Sequence, residues 1–380
     1  MLVPMPSEPS GQTPPASSLP GPTLPTPLPA IAALPAYVPG ARGDAAVPPI
    51  KLSSNESPDG PLPSVTAALA DAGGLIHRYP DMAASELTAR IAAHVGRETA
   101  HVVAGAGSVA VLAHLLQAYA GEGDEVLFAW RSFEAYPILT RIAGATPVTV
   151  PLTADARHDV EAMAAAVTDR TRVAMLCSPN NPTGPALTTA EFEAFMAAVP
   201  TRVLVILDEA YLEYVTEPAV VDGPAALDRH PNLVLLRTFS KAYGLASLRV
   251  GYAVGPEGLI APVRACVTPF SVSGPAQSAA IASLEAGDEL VERAHAVVAE
   301  RERVLAALRA DGWSIPDSQG NFVWLAVGED TGALVGHLGA QQPSILVRPF
   351  AGEGVRVTVG SPQENDALLA ALARWQGRTG

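Results

Sequence analysis

Cysteine is nearly missing from this chain: Cys177 and Cys266 are the two among 380 residues, and neither has a Cys-x-x-Cys or Cys/His neighbourhood. No disulfide framework and no structural zinc or other metal centre is therefore expected, and a reducing cytoplasm is the compartment that fits. Positive charge is also scarce. There are 24 Lys and Arg against 38 Asp and Glu, a formal net charge of −14, which repels nucleic acid and anionic membrane surfaces. No segment reaches the ~18 unbroken apolar residues that a membrane-spanning helix needs. No Lys or Arg precedes Arg42 and no apolar h-region follows the start, so a secretory or transit signal is not expected. Aromatic residues make up 5%, and the hydrophobic share of 48% rests largely on alanine, which favours helices rather than membrane. A chain of this length buries a large core and divides by length into two domains.

What is present begins with proline. Residues 1 to about 30 alternate Pro with Ser, Thr, Gly and Leu, a composition that builds neither helix nor ladder and reads as a disordered, polyproline-like tail. From Leu28 the chain becomes a short apolar arm ending in a turn. After it, the periodicity predicts helices over Met82 to Val95, Val109 to Ala120, Val160 to Val167 and Thr189 to Ala198, the last with Thr188 as its cap. Short apolar strands are predicted over Glu125 to Ala129, Thr146 to Val150, Arg172 to Cys177, Arg202 to Leu207 and Asn232 to Arg237. One long helix is predicted from about Gln277 through Arg309, then strands over Asn321 to Ala326 and Val355 to Val359. The alternation implies an α/β fold, a mostly parallel central sheet flanked by helices, with a smaller α+β domain. The expected division is a tail (1–30), an arm with part of the small domain (31–75), a large domain (76–275) and a C-terminal small domain (276–380).

In such sheets the ligand lies beyond the carboxyl ends of the strands. The residues that follow three of these strands are Ser178-Pro-Asn-Asn-Pro-Thr-Gly184, Asp208-Glu-Ala-Tyr211 and Thr238-Phe-Ser-Lys-Ala-Tyr-Gly-Leu-Ala-Ser-Leu-Arg249, so all three should meet in one crevice. The last run sets a lysine among hydroxyls with an arginine two helical turns on. Taken alone it is compatible with an ordinary helix start and a solvated lysine. Taken with the others, Lys241 is typed to form a Schiff base beside a phosphate, which Thr238, Ser240 and Arg249 would bind. A second anion feature is His101-Val-Val-Ala-Gly-Ala-Gly-Ser-Val-Ala110. It matches a dinucleotide G-x-G-x-x-A pattern, but Asp124 precedes a strand where the dinucleotide fold needs an acid at a strand's end. A nicotinamide cofactor is rejected on that ground. The amides of Gly107, Ser108 and Val109, opening a helix, remain as phosphate donors.

These motifs, together with Tyr37-Val-Pro-Gly, Leu52-Ser-Ser-Asn-Glu, Arg78-Tyr-Pro-Asp, Arg249-Val-Gly-Tyr252 and Val355-Arg-Val-Thr-Val-Gly, resemble the fold-type I pyridoxal-phosphate aminotransferases. Within them the chain is similar to the branch that holds histidinol-phosphate and aromatic amino acid aminotransferases, over residues 28 to 372. The resemblance implies pyridoxal 5'-phosphate as cofactor and ping-pong transfer of an amino group from an amino acid to a 2-oxo acid, 2-oxoglutarate in the first place. It implies that Lys241 forms the Schiff base, Asp208 pairs with the ring nitrogen, and Asn181 and Tyr211 hold the ring hydroxyl. Phe133 would lie against the ring, and Arg356 would clamp the substrate carboxylate, with Tyr37, Asn55, Asn181 and Arg348 as further substrate-side residues. Tyr79 would reach the cofactor phosphate of a neighbouring subunit, making a homodimer the functional unit. The bland alternatives are an edge-strand surface arginine at 356 and a core tyrosine at 79.

The donor is read from the stretch before Arg356. Val347-Arg-Pro-Phe-Ala-Gly-Glu-Gly holds one arginine, an apolar Phe-Ala and an acid, Glu353, that would repel a phosphate if it pointed inward. Trp130-Arg-Ser-Phe-Glu-Ala-Tyr136 and Thr268-Pro-Phe-Ser-Val-Ser-Gly also resemble the aromatic group. Phenylalanine and tyrosine are the favoured donors, with tryptophan as a further one, and Arg348 keeps histidinol phosphate open. A lyase or decarboxylase on the same scaffold, or a silent regulatory protein, are the readings from other classes.

Overall fold

Strands that are apolar at every position have to be covered on both faces, and the alternation of their contacts shows how. In the computed structural model, which describes residues 25–32, 34 and 47–376, Val173, Met175 and Cys177 pack into a core on one side of a sheet and Ala174 and Leu176 into a core on the other. Leu204 and Ile206 likewise face one way, Val205 and Leu207 the other. This is the two-residue period of a strand.

The sheet has seven strands: β1 (Val102–Gly105), β2 (Glu125–Trp130), β3 (Thr146–Pro151), β4 (Thr171–Cys177), β5 (Leu204–Asp208), β6 (Leu233–Thr238) and β7 (Gly251–Val254). Their order is β1-β7-β6-β5-β4-β2-β3. Only β7 runs against its neighbours; its four residues are too short a run to stand out by periodicity. The carboxyl ends of β4, β5 and β6, adjacent in the order, therefore open on one edge.

Two sequence expectations need correction. The single helix expected over Gln277 to Arg309 is two, Gly274–Glu285 and Gly287–Ala310, parted at Ala286 with φ −92° and ψ 34°. Gly287 follows directly, and glycine is a poor residue with which to carry a helix through. The twelve residues from Thr238 to Arg249 hold no α-helix either, only the 3-10 turn Ala246–Leu248. The helix Thr189–Ala198 begins as expected, with Thr188 and Glu191 in a reciprocal capping box.

A second, antiparallel sheet combines β8 (Phe322–Leu325), β9 (Arg348–Phe350) and β10 (Gly354–Thr358) in the order β9-β10-β8. Its apolar face, with Val323, Leu325, Val355 and Val357, packs on Val304, Leu305 and Leu308 and on Leu368 and Leu372. Leu52 joins this third core from far upstream, and Ile50 and Lys51 pair in parallel with Ile345 and Leu346. Along the helix Gly287–Ala310, Leu290, Ala294 and Val297 still belong to the first core, so the packing changes downstream of residue 276. The proline-rich tail expected over 1–30 falls largely outside the described residues; Pro29–Ala32 forms one helical turn.

Candidate active site

The ends of β4, β5 and β6 enclose a cavity of about 250 Å3. Asn181, Asp208, Tyr211, Thr238, Ser240 and Lys241 all line it, joined by Ser108, Val109 and Phe133 from the neighbouring loops and by Arg249, Arg348 and Arg356. These are most of the residues that the motifs singled out.

Lys241 leaves the loop after β6 and donates from Nζ to the carbonyl oxygen of Ser54 at 3.1 Å. Burial first, then the nearby Arg356 and Arg249, push its pKa down to about 7, with Glu56 pulling the other way. An amine in this state is neutral about half the time near neutrality and can attack a carbonyl or carry a proton. Asp208 is buried at the end of β5. Its Oδ2 accepts from the Tyr136 hydroxyl at 2.7 Å and its Oδ1 from the Ala210 amide at 3.2 Å. Burial raises its pKa to about 6 against the opposing pull of those two hydrogen bonds, and among the described residues no ion pair offsets the burial. A buried carboxylate so placed suits a cationic partner. Tyr211 accepts at its hydroxyl from Asn55 Nδ2 at 3.0 Å, and burial lifts its pKa to about 12, so the phenol stays protonated and able to donate.

The anion end is assembled from three loops. Arg249 takes up φ +56° and turns its guanidinium back, Nη1 donating to Ser240 Oγ at 3.2 Å and to the Ala246 carbonyl at 2.9 Å. Thr238 Oγ1 accepts from the Ser240 amide at 3.1 Å. Facing them is the start of the helix Ser108–Tyr119, whose Ser108 and Val109 amides carry no backbone hydrogen bond among the described residues. The Gly107 amide, expected to be a third donor, is already bonded to the Gly105 carbonyl at 2.7 Å. Gly107 matters through its shape instead: φ is +86° and a Cβ there would collide with the Arg249 guanidinium.

At the other end, β9 and β10 pair so that Arg348 lies directly opposite Arg356, which puts both on one face of the hairpin. Arg356 Nη1 donates to Asn181 Oδ1 at 2.6 Å and Nη2 to the Ser53 carbonyl at 2.8 Å. Arg348 is ion-paired with Glu134 at 2.8 Å. Phe133 stands edge-on to Tyr136, with ring centroids 5.7 Å apart.

Two of the remaining residues lie elsewhere than expected. Asn55 is not in the cavity wall; it is fully buried behind Tyr211, held at φ +52° by Thr358 and Asn321, and so positions the phenol. Glu353 does not point inward but pairs with Arg131, whose guanidinium lies 4.3 Å from the Trp130 ring centroid. Tyr79 is 84% exposed, its ring tilted at 34° to that of Phe270 with centroids 4.8 Å apart, and it does not line the cavity of its own chain. Tyr37 lies outside the described residues. Conversely, Tyr136, Glu134 and the Ser53 and Ser54 carbonyls, to which no local pattern in the sequence gives a role, each touch a functional side chain.

No helix among the described residues is long and apolar enough to cross a membrane. The comparisons agree with the geometry. The model of the family "Aminotransferase class I and II" matches residues 47–372. An aromatic amino acid aminotransferase of Thermobifida fusca (strain YX) is 56% identical over 86% of this chain and 90% of its own length. One of Rhodococcus opacus (strain B4) is 54% identical over 90% and 94%. Among solved structures, a histidinol-phosphate aminotransferase of Sinorhizobium meliloti in complex with pyridoxal-5'-phosphate superposes with a TM-score of 0.82 at 29% identity, over 91% of this chain and 96% of that one. With the family model covering most of its length and its strand-end motifs gathered in one cavity, this chain belongs to the class I and II aminotransferases.

Proposed function

We propose that the protein transfers the amino group of an aromatic L-amino acid, phenylalanine, tyrosine or tryptophan, to 2-oxoglutarate, with pyridoxal 5'-phosphate as cofactor. The observation that carries the cofactor is Asp208, a carboxylate buried at the end of β5 in the cavity wall, held by Tyr136 and the Ala210 amide and with no ion pair among the described residues. The anion end fits a phosphate: two helix-start amides, Ser240 and Arg249. Lys241, in this reading, is the Schiff-base lysine, Asp208 the partner of the ring nitrogen, Asn181 and Tyr211 the holders of the ring hydroxyl, and Phe133 the ring's apolar neighbour. Bound there, pyridoxal phosphate supplies an aldehyde and an electron-withdrawing ring that stabilises negative charge at the substrate α-carbon.

The chain's own residues do the rest. Arg356 grips the substrate carboxylate by its guanidinium fork, oriented by Asn181 and Ser53. Lys241 Nζ, as a free amine, would take the proton from the substrate α-carbon and deliver it to the cofactor, a two-way task suited to a pKa near 7. Tyr136 and the Ala210 amide hold the Asp208 carboxylate in position. The aromatic donor is supported by the relatives' activity and by the pairing of Arg348, the residue that keeps histidinol phosphate as the second reading, with Glu134.

Initial rates with phenylalanine, tyrosine and histidinol phosphate as donors to 2-oxoglutarate test the assignment; a preference for histidinol phosphate would reverse it. Arg356→Ala should raise the KM for phenylalanine by ~100-fold, the scale of a lost charge-assisted fork. An unchanged KM would remove Arg356 from the site.

The same proposal makes a homodimer the working unit and the cytoplasm its compartment, in keeping with two free cysteines. Tyr79 and Phe270 pack together at the surface, and Leu75, Ile76 and Met82, near Tyr79 in the chain, are exposed as well, apolar groups suited to a second copy. Light scattering should give twice the chain mass, and Tyr79→Phe should weaken cofactor retention by ~10-fold. A monomer that retains full activity would end this part of the proposal.

A further inference from the structure

Glu134 follows Phe133, the apolar ring neighbour, and immediately precedes the helix Ala135–Ile142. An acid at this place ordinarily serves the helix, by capping or by facing its dipole, yet the Glu134 side chain makes no cap hydrogen bond. It turns instead to Arg348, whose Nε and Nη2 both donate to Glu134 Oε2, at 3.1 and 2.8 Å. Both residues line the cavity, with side chains 14% (Arg348) and 31% (Glu134) exposed.

The register across the hairpin gives this contact its meaning. Arg348 and Arg356 are cross-strand partners on one face, so the cavity wall carries two guanidinium groups side by side. An amino acid donor with an uncharged side chain needs one of them, for its carboxylate. A substrate carrying a phosphate distal to its amine would find the second equally suitable, unless something claimed it. Glu353, the acid that the sequence offers for this purpose, is engaged with Arg131. Glu134 is the acid in position.

We propose that Glu134 sets the selectivity of this site against amines bearing a distal phosphate. It does so by competing with the phosphate for Arg348 and by adding a negative charge to the wall on which that phosphate would lie. This is selection by a repulsive element as much as by an attractive one. The inference builds on the proposed aromatic specificity, and concerns which residue enforces it.

The test is a cycle of four holoenzymes: wild type, Glu134→Gln, Arg348→Gln and the double variant. Each is assayed for kcat/KM with histidinol phosphate and with phenylalanine, and the ratio of the two is read. Glutamine keeps the size of glutamate and removes the charge. Glu134→Gln should raise the ratio roughly tenfold, the scale of one charge–charge contact at a partly exposed site. The same change in the Arg348→Gln background should move the ratio by less than half as much on a logarithmic scale. A ratio that stays within twofold of wild type in Glu134→Gln, or that moves equally with and without Arg348, overturns the inference. A merely structural ion pair would lower both activities together and leave the ratio fixed, which counts against it too. Wild-type protein inactive on every aromatic donor would sink the proposed function, whereas the effect of Glu134 on acceptance of histidinol phosphate would still be read from that substrate's own kcat/KM.

Discussion

A Lys241→Ala protein should turn over phenylalanine at least ~10^4-fold more slowly than wild type, the combined scale of a lost nucleophile and a lost proton carrier. The chain makes this experiment unusually clean, because it has two lysines, Lys51 and Lys241. Lys51 is half-exposed and salt-bridged to Glu56 at 2.9 Å, and its amine is not in the cavity. Borohydride treatment of the holoenzyme should therefore fix the cofactor to one peptide, the one with Lys241. Label on the Lys51 peptide, or multiple turnovers by Lys241→Ala, would refute the assignment. The pH dependence follows from the same amine. With its pKa pushed down to about 7, the neutral form grows as pH rises through 7 and is nearly complete a unit above. The rate at which cofactor-free protein captures pyridoxal phosphate should rise over that window and then level off. A midpoint near the ordinary lysine value would show that the site does not depress this pKa.

The second large effect is expected at Asp208, and it has two signs. Asp208→Asn should cut turnover by ~10^3-fold, because an amide cannot hold a charged ring nitrogen as a carboxylate can. The cofactor-free variant should nonetheless be more stable than cofactor-free wild type at pH 8. The folded-state pKa of Asp208 is raised to about 6 from an ordinary 3.8, so the folded protein holds this proton more tightly than the unfolded chain does. Burial of the charge is thus without cost below pH 4, grows costly from 4 to 6, and is fully felt above 6, on the order of 3 kcal/mol. Melting curves of the two cofactor-free proteins should diverge as pH rises across that range. Parallel curves from pH 4.5 to 8 would mean that the carboxylate is not under strain. Loss of function with gain of stability is the pattern of a site built for a ligand rather than for the fold.

The chemistry at the strand ends was legible in the sequence because each residue sits within a short local run. Asn181, Asp208, Lys241 and Arg249 need only the rule that parallel strands present their ligands at one edge. What sequence could not supply was the pairing of residues far apart in the chain. Tyr136 meets Asp208 across 72 positions and Glu134 meets Arg348 across 214, and no local pattern marks either partner. Asn55, expected among the substrate-side residues, lies buried behind Tyr211 instead, a place that depends on contacts with Asn321 and Thr358 far along the chain. The direction of Glu353 was left open by the sequence for a related reason: an acid in a turn has no visible direction until Arg131 is placed beside it. The break at Ala286 was missed because helical periodicity continues on both sides of it.

The hairpin of β9 and β10 is rooted in the third hydrophobic core, while Lys241, Asp208, Asn181, Tyr211 and the phosphate-facing groups of the cavity belong to the seven-stranded sheet or the loops at its edge. The two arginines proposed for recognition are thus rooted in a different hydrophobic core from the reacting groups, and meet them through Glu134 and Asn181. Substitutions that remodel the hairpin can change which amine is admitted and leave the reacting end untouched, so a lineage of such proteins can trade substrates without reinventing its chemistry.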